Sequence, residues 1–317
     1  MPVPKTALPD LDEVLRDVAE QARPHATGGY VADYIPVLAE ADAASFGMAA
    51  VELDGTEHTV GDVDEPFAIQ SISKVFSLVL AMQKADAAEG VADELWSRVG
   101  REPSGDPFNS LVQLEHESGV PRNPMINAGA LVVDDVLLDH CEDPAGDICR
   151  LLTGLAGEDV GVDEVVMSQE GSSGHRNRAM AFLMSSFGNI TSPIDDVLDV
   201  YVRHCAIAMT ARQLARAARF LANDGVDPGT GEQVLSDGLT RRVAALMLTC
   251  GTYDSAGQFA FDVGIPCKSG VAGAIIGLVP GEAAVCVWSP PLDPSGNSSA
   301  GRVALHELAE RLGLSIY

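Results

Sequence analysis

Lysine is scarce in this sequence. The 317 residues include 20 basic side chains, of which only four are lysines (Lys5, Lys74, Lys84 and Lys268) and 16 are arginines. With 46 acidic residues the formal net charge is −26, which argues against binding to nucleic acid or to an anionic membrane surface. A surface so acidic and so poor in lysine resembles that of proteins from salt-loving organisms, where counterions screen the self-repulsion. The composition therefore predicts a halophilic protein.

Long apolar runs are also missing. The longest, residues 271–280, is about half of the ~20 residues that cross a bilayer. The opening stretch MPVPKTALPDLDEVLRD has no apolar core of the kind that a signal peptide needs. We therefore expect a cytoplasmic protein with no membrane partner. The 46% of apolar residues are well spread, so the chain can bury a large core.

Cysteine motifs are absent as well. The six cysteines are scattered, with no Cys-x-x-Cys pair and no zinc-ligand spacing, so we expect reduced thiols and no metal site. His204 and Cys205 are neighbours in sequence, but consecutive residues of a helix point in different directions. A catalytic Cys–His pair is therefore not predicted there.

The periodicity of the apolar residues predicts strands at both ends of the chain and helices between them. A hairpin is expected around the turn Asp54-Gly55. Strand-like runs lie at residues 46–53, 58–60, 259–263, 274–279 and 283–289. Helical patterns include residues 10–23, 127–140, 177–186, 195–205, 211–223 and 302–312. We predict one domain over residues 1–317, with an α/β subdomain of about residues 1–76 and 254–317 and an all-helical subdomain of about residues 77–253.

The stretch with the most chemical content is Gln70-Ser71-Ile72-Ser73-Lys74. Apolar residues continue from Ile72 at helical spacing, so we expect Ser71 to open a packed helix. Residues three apart on a helix have Cβ atoms about 5–6 Å apart, so the amine of Lys74 is expected to reach the Ser71 hydroxyl. By itself this pattern is weak, because a helix cap followed by a solvated lysine has the same spacing.

The scarcity of lysine makes the pattern more informative. Arginine stays protonated in proteins, whereas a desolvated lysine can become neutral and act as a base. Two of the four lysines, Lys74 and Lys268, lie in Ser-x-x-Lys and Lys-Ser-Gly, the two motifs of the penicillin-recognising serine enzymes. We expect burial, and repulsion from Lys268, to lower the pKa of Lys74.

Nine motifs, in one order, carry a resemblance to a known family. Over roughly residues 28–317 the chain resembles the serine-dependent glutaminases. The motifs are YVADYIP (30–36), FAIQSISKVF (67–76), EPSGDPFNS (102–110), NPMINAGA (123–130), RNRA (176–179), DVY (199–201), GTYD (251–254), KSGV (268–271) and SPPLD (289–293).

The resemblance implies an α+β fold of the β-lactamase and penicillin-binding-protein type, with an antiparallel sheet flanked by terminal helices and an inserted all-helical subdomain. It implies hydrolysis of L-glutamine to L-glutamate and ammonia without metal or organic cofactor, by a homo-oligomer (dimer or tetramer). Ser71 resembles the family's nucleophile, Lys74 its general base and Tyr253 the tyrosine that relays a proton near the leaving amine.

The resemblance also implies which residues bind the substrate. The matching positions are Ser71, Asn127, Glu170, Asn177, Tyr201, Tyr253 and Val271, with Tyr34 in a further site motif. The N–H groups of Ser71 and Val271 are expected to form an oxyanion hole. Glu170 is matched by its seven-residue spacing to Asn177, because this chain has Ser168-Gln169-Glu170 where the family commonly joins Ser and Glu directly.

Two alternatives stay open at this point. One is a penicillin-recognising hydrolase or peptidase on the same fold, which the lack of a signal peptide disfavours. The other is an amino-acid-binding module that has lost catalysis, which the presence of Ser71, Lys74 and Tyr253 disfavours.

Overall fold

A five-stranded antiparallel sheet lies between two groups of helices, as described by a computed structural model for residues 10–105 and 109–316. The strand order is β2-β1-β8-β7-β6, so that the N-terminal hairpin joins the C-terminal strands through the pairing of β1 with β8. The strands are β1 (Gly47–Glu52), β2 (Glu57–Gly61), β6 (Cys267–Gly270), β7 (Ala274–Val279) and β8 (Ala283–Trp288).

Both faces of this sheet are buried, because its side chains alternate between two hydrophobic cores. In β1, Met48 packs into the core beneath the terminal helices, whereas Ala49 faces the helical part of the molecule. In β7, Ile275 and Ile276 divide in the same way. The sheet therefore separates a layer of terminal helices from a larger helical layer.

Fourteen α-helices surround the sheet within the described residues. They are α1 (Leu11–Ala22), α2 (Pro36–Ala39), α3 (Ser73–Ala87), α4 (Val91–Arg98), α5 (Leu111–His116), α6 (Asn127–His140), α7 (Pro144–Ala156), α8 (Glu164–Ser173), α9 (His175–Ser186), α10 (Ile194–Cys205), α11 (Ala211–Ala222), α12 (Asp237–Cys250), α13 (Ala256–Asp262) and α14 (Ser299–Leu312). In the part of the chain that is described, no helix is long and apolar enough to cross a membrane.

Helix α3 is central to the helical layer. Its first ten residues are all buried, and it packs against α4, α6, α7 and α12. Helix α11 packs on the sheet, against β1, β7 and β8, although it belongs to the range predicted for the helical subdomain. A second, small sheet joins β3 (Phe67–Ala68), β5 (Ile207–Met209) and β4 (Gly161–Val162) just ahead of α3.

Most predicted elements are confirmed, including the hairpin, the strands at 274–279 and 283–289, and the helix at residues 127–140. The strand predicted at 259–263 is wrong. These residues lie mainly in α13, where Phe259 is buried and Phe261 is 87% exposed, so the alternation of two aromatic residues was misread as strand periodicity. The strands β3, β4, β5 and β6 were not predicted, because each has only two to four residues. Since β4 and β5 lie between residues 77 and 253, the prediction that this range is all helical is wrong in this detail.

Candidate active site

Ser71 lies in a short 3₁₀ turn, Gln70–Ile72, rather than at the start of an α-helix as predicted. Helix α3 begins two residues later, at Ser73. The cause is Gln70, whose φ of +48° is in the left-handed region that non-glycine residues rarely adopt. Such a conformation costs about 1–3 kcal/mol and persists only where the surroundings enforce it. The turn holds Ser71 in a buried position, 6% exposed.

Lys74 is buried one turn further along, with 1% of its surface exposed. Its Nζ donates a hydrogen bond to Oδ1 of Asn127, at 2.5 Å, and lies 5.5 Å from the ring centroid of Tyr201. Burial lowers the pKa of Lys74 to about 8, against the opposing pull of Asp134 and Glu170 among other groups. A substantial neutral fraction is therefore present near neutral pH, as a general base requires.

Tyr253 faces Ser71 from the other side. Its hydroxyl lies 3.1 Å from the carbonyl oxygen of Ser269, to which it donates, and the Ser71 side chain is close enough to lower its pKa. The amine of Lys74 was expected to reach Ser71, but its hydrogen bond goes to Asn127. Burial raises the pKa of Tyr253, so this hydroxyl keeps its proton and can serve as a donor.

Two glycines bring β6 close to these groups. A Cβ at Gly270 would lie 2.7 Å from the carbonyl oxygen of Ile69, directly before the Ser71 turn. A Cβ at Gly251 would lie 1.8 Å from the carbonyl oxygen of Cys267. The backbone leading to Tyr253 and the turn carrying Ser71 therefore both pack against the same strand, and Val271 follows directly at its end.

Lys268 is fully buried behind Tyr253. Its Nζ lies 4.8 Å from the Tyr253 ring centroid and donates to the Ser269 carbonyl oxygen at 2.6 Å. Burial lowers the pKa of Lys268 well below its ordinary value, and the charge of Lys74 lowers it further. We predicted that repulsion from Lys268 lowers the pKa of Lys74. In the structure, burial lowers the pKa of Lys74, and the repulsion between the two amines lowers the pKa of Lys268.

An acidic group lies close enough to Lys74 for their charges to interact. The hydroxyl of Tyr34 is 3.0 Å from Oε2 of Glu170 and 2.9 Å from Oε1 of Gln70. Glu170 is only 6% exposed, and burial raises the pKa of its carboxyl group, against the opposing effects of Tyr34, Gln70 and Lys74. Glu170 is thus a buried carboxyl group held by hydrogen bonds and facing the amine of Lys74.

The two predicted amide residues are joined to each other. Nδ2 of Asn127 donates to Oδ1 of Asn177 at 2.9 Å, so that Lys74, Asn127 and Asn177 form one hydrogen-bonded chain. Tyr201 is buried beside Lys74. Direct contacts join several of the predicted site residues: Tyr34 with Glu170, Lys74 with Asn127 and Tyr201, and Asn127 with Asn177. The charge of Lys74 acts on Glu170, and Ser71 acts on the hydroxyl of Tyr253. Val271 directly follows β6.

The sequence motifs did not single out Gln70 or the groups behind Ser71. Gln70 was visible only as a neighbour of Ser71, yet its side chain contacts Tyr34 and its Nε2 atom is buried without a hydrogen-bond partner. His204 and Asp134 form a fully buried pair. Local sequence patterns could not connect them with each other or with the site, because they lie 70 residues apart.

Comparisons with known proteins lead to one family. The sequence profile of the glutaminase family matches residues 29–317. A glutaminase of Methylobacterium radiotolerans is 52% identical over 314 residues, which cover 98% of this chain and 99% of that protein. The crystal structure of a probable glutaminase of Bacillus subtilis has a TM-score of 0.88 at 33% identity and covers 98% of this chain and 99% of that one.

A further similar structure contains a bound small molecule. It is a probable glutaminase of Bacillus subtilis complexed with 6-diazo-5-oxo-L-norleucine, with a TM-score of 0.86, 32% identity and coverage of 100% of this chain and 99% of that one. With sequence and structure in agreement over nearly the whole length, the chain belongs to the glutaminase family, the enzymes that hydrolyse L-glutamine to L-glutamate and ammonia.

Proposed function

We propose that this chain hydrolyses L-glutamine through a γ-glutamyl ester on Ser71. The neutral amine of Lys74 takes the Ser71 proton as Oγ bonds to the side-chain carbonyl carbon of glutamine. The electron pair of the carbonyl moves to its oxygen, which the N–H groups of Ser71 and Val271 stabilise. When the carbon–nitrogen bond breaks, Tyr253 gives a proton to the departing nitrogen and recovers one from the protonated Lys74, so ammonia leaves and no charge accumulates.

Hydrolysis of the ester uses the same groups, with water as the nucleophile and Ser71 as the leaving group. Lys74 takes a proton from water as the oxygen of water bonds to the ester carbon. The bond to Ser71 Oγ then breaks, Ser71 regains a proton, and L-glutamate leaves. The overall change consumes one glutamine and one water and yields one glutamate and one ammonia.

The amino-acid head of glutamine fits the opposite end of the cleft. Glu170 is the partner for the α-ammonium group, and Tyr34 holds its carboxylate in place. Asn127 and Asn177 supply amide groups that can bind the α-carboxylate, and Tyr201 closes the apolar wall beside Lys74.

One observation carries this proposal: a fully buried lysine with a pKa of about 8, placed together with a buried serine and a protonated tyrosine. Strongly shifted groups that converge in a cleft are the usual sign of a catalytic site. Lys74 does not serve to balance a carboxylate in an ion pair, since its hydrogen bond goes to an amide oxygen.

The covalent intermediate provides the direct test. In rapidly quenched reactions with glutamine, we expect one γ-glutamyl group on the peptide that contains Ser71, detected by mass spectrometry. The glutamine analogue 6-diazo-5-oxo-L-norleucine, whose electrophilic carbon occupies the amide position, should label the same residue to one equivalent per chain. Ser71→Ala should carry neither adduct.

Other results would contradict the proposal. Undiminished ammonia release by Ser71→Ala, or an adduct on another residue, rejects the ester on Ser71. Adduct formation without ammonia release identifies an amino-acid-binding protein that has lost turnover.

We also propose that the subdomain division predicted above describes this chain, and that it works in the reducing cytoplasm. The strands of the large sheet come only from residues 47–61 and 267–288, which supports the division, while the packing of α11 on the sheet qualifies it. All six cysteines are free thiols, as expected in a reducing compartment. Limited proteolysis tests this division. If cleavage near residue 77 or 253 releases no stable fragment, the subdomains are not separable.

We propose that the protein is halophilic. Its acidic surface then predicts that the stability of the fold depends on the salt concentration. Raising the salt concentration from 0.01 M to 1 M shortens the Debye length from about 30 Å to about 3 Å, so repulsion among the excess carboxylates is screened. The unfolding temperature should therefore rise with potassium chloride up to molar concentrations. A flat profile in a thermal-shift series contradicts halophily and leaves the enzymatic proposal intact.

Light scattering over the same range of salt concentrations tests the proposed homo-oligomer. Three large apolar side chains, Val112, Phe182 and Phe187, are between 46% and 66% exposed on or next to the neighbouring helices α5 and α9. Such exposed apolar groups favour association. Light scattering should give a mass two or four times that of the chain, and a mass of one chain rejects the proposal.

A further inference from the structure

A chain of buried polar groups runs behind the Ser71 turn. The Ser73 hydroxyl lies 2.6 Å from the carbonyl oxygen of Gln70 and 2.7 Å from Nδ1 of His204. Nε2 of His204 lies 3.1 Å from Oδ2 of Asp134. Ser73, His204 and Asp134 have no exposed surface, so substrate cannot reach any of them. Although the types are those of a Ser-His-Asp triad, these residues cannot form a second catalytic centre.

The hydrogen bonds of this chain have one consistent direction. A carbonyl oxygen can only accept, so the Ser73 hydroxyl donates to Gln70, and Nδ1 of His204 must donate to Ser73. The Asp134 carboxylate accepts from Nε2. His204 therefore carries a proton on each ring nitrogen and is a cation. Burial alone would lower the pKa of His204, but Asp134, with Cys205, outweighs it and raises the pKa to about 10.

Gln70, whose carbonyl group lies at the end of this series of hydrogen bonds, has a strained backbone conformation. The Gln70 carbonyl accepts from both the backbone N–H and the hydroxyl of Ser73. Gln70 has the left-handed φ of +48° that a non-glycine residue keeps only under constraint. The following peptide bond is trans, so the direction of the Gln70 carbonyl fixes the opposite direction of the Ser71 N–H.

We propose that the Ser73–His204–Asp134 chain is a positioning device for the oxyanion hole. It holds the Gln70 carbonyl and so aims the Ser71 N–H at the side-chain carbonyl oxygen of glutamine. The three residues are positioning residues, since none touches the reacting atoms. This inference rests on the proposed ester at Ser71.

The test compares two serines on the same helix. Ser73→Ala removes the hydroxyl that holds Gln70. Ser77→Ala, one turn later, removes an equally buried hydroxyl, which donates to Oδ1 of Asp134 at 3.0 Å and does not contact Gln70. Ser73→Ala loses two buried hydrogen bonds and Ser77→Ala loses one, so Ser73→Ala should lose more thermal stability, and stability alone does not report on the active site. Rates are expressed per active site, counted by labelling with 6-diazo-5-oxo-L-norleucine to completion.

The expected result is a difference in kcat. Removing an oxyanion donor outright costs about 10²–10³ in kcat, so misdirecting one in Ser73→Ala should cost about 10- to 100-fold. KM for glutamine should change less than about threefold, since the oxyanion exists only in the transition state. Ser77→Ala should stay within about twofold of the wild-type kcat. Equal kcat values for the two variants overturn the proposal.

A second variant decides the matter if Ser73→Ala does not fold. His204→Gln combined with Asp134→Asn replaces the buried ion pair by neutral amides and leaves no charge unpaired. It should lower kcat with KM unchanged, and adding Ser73→Ala should cause little further loss, because the residues act as one unit. An unchanged kcat in the double variant, or a full additional loss in the triple one, refutes the positioning role. Neither result bears on the ester at Ser71, which the trapping experiment tests separately.

Discussion

Lys74→Arg will lower kcat for glutamine by about 10²–10⁴, the usual cost of losing general-base assistance. Arginine keeps a positive charge and nearly the same length, but it stays protonated at any pH at which the protein is folded. Lys74, in contrast, has a pKa of about 8, so about a tenth of it is neutral at pH 7. Steady-state kinetics at pH 8 will measure the loss, and kcat/KM of the wild type should rise with pH and level off above about 8.

Two further variants make this result specific. Lys84→Arg changes the same residue type in the same helix, ten positions away and partly exposed, and should be nearly silent. Lys74→Met has no charge and cannot accept a proton, so it should fail as Lys74→Arg does. If Lys74→Arg keeps more than about a tenth of the wild-type kcat, Lys74 is a structural cation. The proton acceptor is then to be sought at Tyr253, the group in contact with Ser71.

Tyr253→Phe will lower kcat for glutamine by about 10²–10³ and leave KM nearly unchanged. An amide nitrogen cannot depart without a proton, and Tyr253 is the protonated group in contact with the Ser71 side chain. The ring is retained in the variant, so its packing against Lys268 is kept. The γ-methyl ester of L-glutamate has a better leaving group and depends less on the proton donor, so the loss on this substrate should be much smaller.

The decisive quantity is the loss of kcat on glutamine divided by the loss of kcat on the methyl ester. Equal losses on glutamine and on the methyl ester mean that Tyr253 orients Ser71 and does not protonate the leaving group. Tyr30→Phe is the matched control, because it removes a tyrosine hydroxyl from a residue that is half exposed. It should retain the wild-type activity on both substrates.

Local signals in the sequence were sufficient for much of the fold. The helix at residues 127–140 was predicted with its observed bounds, because apolar residues lie on both sides of Asp134 and Asp135 and a basic residue, His140, ends it. The hairpin followed from Asp54-Gly55, where Gly55 takes a φ of +93° that suits glycine. The family could be named because the motifs around Ser71, Asn127 and Lys268 are specific in their order.

Other features depend on parts of the chain that no local pattern connects. His204 was set aside as a neighbour of Cys205, whereas its hydrogen-bond partners Ser73 and Asp134 lie 131 and 70 residues away. The 3₁₀ turn at Ser71 is enforced by tertiary contacts against its own backbone preference, so helix periodicity placed the start of α3 too early. Strand β6, with four residues including Lys268, has too little apolar character to be recognised.

The pairing of β1 with β8 has a consequence for how the protein is made. Glu52 pairs with Ala283, which the ribosome adds 231 residues later. At about 5–20 residues per second on the ribosome, β1 waits roughly 10–50 s for its neighbour. During that time one edge of the hairpin, which includes Met48 and Val51, is open to pairing with other chains. Productive folding of the nascent chain therefore depends on protecting this edge until translation is nearly complete, which makes it a natural place for a chaperone to bind.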